Sequence, residues 1–279
     1  MTKVYRVYMR FPGGKKKALT LSYDDGVKQD ARLIDIMQKN GLKGTFNLNS
    51  GSFPLEQTGN MRLTEAQAKE LFIDSGMEVA IHGLSHTFLS QLTESHCSYE
   101  VIKDRENLER LFCKVIRGMA YPNNAYNDKV VACLKSAGIA YARTTISTES
   151  FKIPTDWLRL ETTCHHKNPR LMELAKKFVE EDVIKESWLF YLWGHSIEFH
   201  NDNNWNIIEE FAEYTGNRHD IWYATNIEIY EYIEAYRSLV SSVDGTMITN
   251  PTAYTVYIEI SGKVYGIKSG ETLNVGMLA

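Results

Sequence analysis

The chain of 279 residues is long enough for one large domain or two small ones with a substantial core. Its composition is ordinarily globular, with 43% hydrophobic residues, 24% charged residues and 6 prolines. A net charge of -4 leaves no basic footprint for nucleic acid, and no apolar run is long enough to cross a bilayer, so neither kind of partner is expected.

The opening stretch MTKVYRVYMRFPGG alternates charged and apolar residues and holds no run of signal-peptide length. Lys15-Lys16-Lys17 reads as the solvated entry to a strand, because PGGKKK lacks the spacing of a phosphate-binding loop. Strands are expected at 18–23, 44–49, 77–82, 115–121, 139–145, 157–163, 188–195 and 221–226. Between them DARLIDIMQKNG, TEAQAKELFIDSG, DRENLERLFC, DKVVACLKSAG and IEIYEYIEAYRSLV read as amphipathic helices. Gly41 and Gly138 stand at helix-end positions. Such alternation with short connections implies parallel strands and crossover helices, and seven or eight units fit an α/β fold of the distorted (β/α) barrel type over 1–243. The pattern changes at 244–279, which reads as a β-hairpin appendage turning at Ser261-Gly262, with a further turn at Ser269-Gly270. Cys97, Cys113, Cys133 and Cys164 are scattered without paired spacing, so free thiols and a cytoplasmic setting are expected.

The first strand runs into LSYDDG, where Asp24 and Asp25 stand side by side. Adjacent carboxylates repel, so the pair is either a surface turn or a metal ligand beside a general base. In a barrel, chemistry gathers at the C-terminal ends of the strands. The third strand ends in His82 with His86 four residues on, the fourth carries Arg117 and Tyr121, and the seventh ends in His195. His82 and His86 have the spacing that lets two imidazoles hold one ion, and a carboxylate from the first strand would complete a set with open positions. Cys164-His165-His166 closes the sixth strand; by strand alternation one imidazole should line the pocket and the other face solvent.

LTLSYDDG resembles the first motif of the polysaccharide deacetylases (carbohydrate esterase family four, the NodB homology domain), and HGLSH resembles the second. RGMAYP is similar to the third, and YLWGH stands where the fifth places its histidine, so the likeness covers about residues 18–200 in the expected order. It departs at Tyr23, usually Phe, at Gly83, usually Ser or Thr, and in the looser third motif. Trp193 stands where a leucine usually lines the acetyl pocket. Asp156-Trp157 matches the letters of the fourth motif but falls before the sixth strand instead of after the fifth.

The resemblance implies that Asp25, His82 and His86 hold one divalent ion, zinc with cobalt or nickel as alternatives. It implies that Asp24 is the base, held by Arg117, that His195 is the acid, and that a backbone N–H near Tyr121 faces the oxyanion. Tyr121, Trp193 and Trp222 could flank a sugar or be core residues, and Asp156 is counted with the substrate contacts. The implied activity is metal-dependent removal of N- or O-acetyl groups from an amino sugar or polysaccharide. Two other readings stay open: a small-molecule amide hydrolase of deformylase or ring-opening type on the same fold, and a carbohydrate-binding module without catalysis.

Overall fold

The strand that carries the Asp pair is buried along its whole length, Lys17–Asp24, as expected of a central parallel strand covered on both faces. The computed structural model describes residues 6–56 and 61–277; residues 1–5 and 278–279, the outermost parts of the two expected segments, lie outside them.

The strands in chain order are β1 (Val7–Arg10), β2 (Lys17–Asp24), β3 (Gly44–Leu48), β4 (Glu78–Ile81), β5 (Gly118–Ala120), β6 (Tyr141–Ser147), β7 (Leu160–Thr162), β8 (Cys164–His165), β9 (Trp188–Gly194) and β10 (Ile221–Tyr223). Parallel ladders join them in the order β7-β6-β5-β4-β3-β2-β9-β8, and β10 lies along the first half of β2. The two ends of this order, β7 and β8, are consecutive in the chain. Only Thr163 separates them, and its amide donates to Tyr191 O at 2.9 Å. The sheet therefore curls back on itself in barrel fashion, although no ladder pairs β7 with β8 among the described residues.

Helices α1 (Asp30–Lys39), α2 (Glu65–Phe72), α3 (Glu94–Phe112), α4 (Asp128–Ser136), α5 (Leu171–Glu180), α6 (Ser196–Asn201), α7 (Asn206–Thr215) and α8 (Asn226–Arg237) alternate with the strands. Gly41 at φ +63° and Gly138 at φ +72° end α1 and α4 in the left-handed region, as their positions in the sequence predicted. This parallel sheet with alternating helices is the expected fold class. Three strands are at least three residues shorter than expected, the 221–226 run ending at Tyr223. The 115–121 run narrows to β5 because the amide of Ile116 donates to Glu109 Oε1 at 2.9 Å instead of joining a ladder. The 157–163 run opens with a single turn capped by Asp156, whose Oδ1 accepts from the Leu158 amide at 3.1 Å.

The remaining strands are β11 (Val240–Ser241), β12 (Met247–Thr249), β13 (Val256–Ile260), β14 (Lys263–Ile267) and β15 (Thr272–Asn274). β13 and β14 form a hairpin through Ser261 and Gly262, both at positive φ, the backbone of a tight two-residue turn. β1 pairs with β13, while β11, β12 and β15 form a second small sheet. The two sheets share a cluster of Ile248, Ile258, Ile260, Ile267 and Val275.

Candidate active site

β2 ends with its carboxylates pointing two ways. Asp24 is the last ladder residue and its side chain turns into the barrel, 3% exposed. Asp25 leaves the strand at φ +89°, a conformation that non-glycine residues rarely adopt and that here turns the second carboxylate to the rim. Consecutive residues on one strand thus supply one buried and one accessible acid.

Asp25, His82 and His86 offer ligand atoms that all lie within 4.8 Å of one another. His86 Nε2 is 3.7 Å from Asp25 Oδ1, close to the separation of about 3.4 Å that two ligands at ~2.1 Å adopt around a tetrahedral ion. His82 Nδ1 lies 2.8 Å from Ala120 O. A carbonyl can only accept, so Nδ1 carries the ring proton and Nε2 keeps its lone pair for the site. Burial also pulls the His82 pKa below its ordinary value, favouring the neutral, ligating form. Asp104 sits behind this turn and accepts from the His82 amide at 3.1 Å and the Ser50 amide at 2.8 Å. The donor set and its spacing fit one divalent cation of the zinc type. Arg62 reaches the same rim, donating to Asn49 Oδ1 at 3.0 Å and lying 3.1 Å from Asp25 Oδ1.

Asp24 is the hub of the buried half. Its Oδ1 accepts from Asn47 Nδ2 at 2.8 Å, and its Oδ2 takes a short ion pair from Arg143. His82 Nε2 and His195 Nε2 lie 3.9 and 3.8 Å from the same oxygen. Burial pushes the Asp24 carboxyl up, but Arg143 and then the two histidines bring it down to about 2, so it is ionised at neutral pH. His195 stands at the N-cap of α6. Burial lowers its pKa, yet Glu198, Asp24 and Asp25 outweigh burial and set it above the ordinary 6.5. An ionised, buried carboxylate therefore faces an imidazole whose pKa is raised.

Four expected residues do not join them. Arg117 precedes β5 and lies at its entry, its Nε 3.4 Å from Gly138 O and its guanidinium over Tyr230. Four residues of extended chain, about 13 Å, separate it from the rim at Tyr121. Arg143 from β6 takes the place expected for it. Tyr121 is buried, donates its hydroxyl to Leu158 O at 2.7 Å and stacks on Tyr126, which leaves no ring face for a sugar. Its amide donates to Arg143 O at 3.0 Å and is not free for an oxyanion. Trp222 pairs with Ala18 near the start of β2 and packs on Phe11 and Tyr232, at the far end of the barrel. Asp156 is exposed, caps its own turn and pairs with Arg159 at 3.0 Å.

Trp193 does line the site: Arg143 Cζ lies 4.6 Å from its ring centroid, and His165 and His195 approach it at 4.5 and 5.9 Å. Of the His165-His166 pair His165 stays partly exposed, but the second imidazole does not line up as alternation predicted. The strand ends at His165, and in the turn beyond it His166 folds back, 1% exposed, so both imidazoles reach Glu198. Sequence reasoning missed Arg143, Arg62, Asn47 and Glu198. A signal existed for Arg143, since an arginine inside the apolar run of β6 needs a buried anion.

Residues 12–142 match the family model described as polysaccharide deacetylase. The resemblance carried by the Asp-Asp-Gly and His-x-x-x-His motifs is borne out. A chitin deacetylase of Arthroderma benhamiae is 29% identical over 188 residues, which are 60% of this chain and 48% of that protein. The chain thus spans about half the length of the curated relative it matches. Among solved structures, a candidate polysaccharide deacetylase from Mycobacterium smegmatis gives a TM-score of 0.55 at 15% identity, covering 81% of this chain and 93% of that one. The family-four esterase domain of a multidomain xylanase from the hindgut metagenome of Trinervitermes trinervoides gives 0.52 at 14% identity, covering 79% and 92%. At these identities the structural likeness is one of fold.

Proposed function

We propose that the chain is a metal-dependent hydrolase that removes acetyl groups, N-linked or O-linked, from an amino sugar or polysaccharide. The observation that carries this reading is the meeting of one ionised, buried carboxylate with two imidazoles. Asp24 Oδ2 lies 3.9 Å from His82 and 3.8 Å from His195, beside the Asp25–His82–His86 trio. A zinc-like cation held by that trio would supply Lewis acidity at the acetyl carbonyl and would make a water more acidic. Asp24 takes the proton of the water that attacks the acetyl carbon. Arg143 and Asn47 hold the carboxylate in place and keep it charged. His195 gives the proton from Nε2 to the departing nitrogen or oxygen, and its raised pKa keeps that proton available near neutrality. Trp193 offers an apolar wall beside the acid, suited to an acetyl methyl. The kinship with a chitin deacetylase favours an N-acetylated sugar.

The test joins metal analysis with acetate release from chitooligosaccharides, peptidoglycan fragments and small N-acetyl amides. We expect one equivalent of divalent metal and acetate release that a chelator abolishes and zinc restores. Formate or ring-opened products without acetate would move the protein to the small-molecule amide hydrolases. Sugar binding with neither metal nor hydrolysis would make it a binding module.

A further inference from the structure

A second imidazole–carboxylate cluster lies on the other side of His195. Glu198 Oε2 is 3.1 Å from His166 Nε2, 3.2 Å from His165 Nε2 and 3.7 Å from His195 Nδ1, and Lys167 Nζ is 3.3 Å from Glu198 Oε1. Ligand atoms of His165, His195 and Glu198 fall within 4.8 Å of one another, a spacing that a cation would accept.

The ring protons argue otherwise. The amide of Lys167 can only donate, and it donates to His165 Nδ1 at 3.1 Å. The proton of neutral His165 is therefore on Nε2, aimed at Glu198, and a protonated nitrogen has no lone pair for a metal. The Lys167 ammonium on the other carboxylate oxygen repels a cation further. Glu198 is an anion ringed by donors. Its position is also built: Gly194 has no side chain, and a Cβ there would lie 2.0 Å from His166 Nδ1. Only glycine leaves room for His166 beneath the carboxylate.

We propose that Glu198 is the positioning residue of His195, holding its Nδ1–H so that Nε2–H faces Asp24 and the leaving group. This rests on the reading of His195 as proton donor. Glu198 lies in the first turn of α6, three residues beyond the N-cap His195, and its amide donates to His195 O at 3.1 Å. This bond fixes the turn, and it leaves Glu198 Oε2 and His195 Nδ1, both buried and without a hydrogen-bond partner, 3.7 Å apart and facing each other. When the C–N bond breaks, the amine leaves with the Nε2 proton while the Nδ1 proton stays on the ring against Glu198. The proton that Asp24 took from water then restores Nε2.

The test is Glu198→Gln, which keeps the size and removes the charge. We expect unchanged metal content and KM, a kcat on the N-acetyl amide lower by about 10–100-fold, and little loss on an activated aryl acetate, which needs no proton donor. In ¹⁵N-histidine spectra the wild-type His195 should show a protonated, hydrogen-bonded Nδ1 near neutral pH, and the Gln variant should lose it. His165→Ala, which removes one donor to Glu198, should move both readouts the same way by less. Loss of a metal equivalent in Glu198→Gln would make the cluster a second cation site and overturn the assignment. Equal losses on amide and ester would reduce Glu198 to a structural role, and an unchanged ring-proton signal would refute the contact. If the wild type cleaves no acetylated substrate, the hydrolase reading fails, yet the ring-proton signal still decides the Glu198–His195 contact.

Discussion

Two clusters of histidines and a carboxylate flank Asp24, and they differ in what the backbone offers to the same ring nitrogen, Nδ1: a carbonyl in one and an amide in the other. In Asp25–His82–His86 a carbonyl, Ala120 O, takes the Nδ1 proton of His82 and leaves Nε2 as a lone pair. In His165–His195–Glu198 an amide, that of Lys167, donates to His165 Nδ1 and leaves Nε2 as a proton donor. Similar side chains at similar spacing thus present a ring lone pair in one place and a ring N–H in the other. Counting histidines does not separate the two. The backbone partner of each ring does.

The comparison breaks most sharply at the ligands. His86→Ala should release the metal and lower deacetylation by roughly 10³-fold, the loss of several kcal/mol of charge stabilisation, while His165→Ala should keep the metal. Metal analysis of both proteins side by side checks this; release from the second variant alone would exchange the roles of the clusters.

Next in size is the pair between them. Arg143→Met strands Asp24 in the core without its guanidinium and should cost about 3–5 kcal/mol of stability in a urea titration. Arg117→Met, at the other end of the barrel, should stay within about 0.5 kcal/mol and leave turnover unchanged. If the two variants behaved alike, Arg143 would not be the partner of the base.

Gly194→Ala probes the clamp alone. The added methyl meets His166, and an overpacked core of this kind loses about 1–3 kcal/mol, with the metal retained. A fully stable alanine variant would show that His166 can move aside.

The smallest effect is a dependence on pH. The folded Asp24 carboxyl lies at about 2, below its ordinary 3.8, so the stability it contributes is present above about pH 4 and is lost as the pH falls through 2. The stability difference between wild type and Asp24→Asn should narrow across that window in acid-unfolding curves; a difference that stays constant there would mean that the charge of Asp24 contributes nothing to the fold.

What the sequence determined by itself is whatever repeats locally. Apolar strands alternating with amphipathic helices, Gly41 and Gly138 at helix ends and Ser261-Gly262 at the hairpin are each decided within a few residues, so they were legible before any tertiary contact. The rim order of Asp24, Asp25, His82, His86 and His195 was legible too, because each lies at the C-terminal end of a strand of β-forming residues or within five residues of it. Partnerships across the barrel were not. The β5–β6 register places Arg143 beside Ala120 and aims it at Asp24, while Arg117, better matched in letters, falls at the wrong end of its strand. Glu198 meets His165 and His166 only because β8 pairs with β9 and α6 folds back over that pair. Propensity and periodicity act over one turn or one strand; which charge faces which is set by ladder register and closure, and only the tertiary structure decides those.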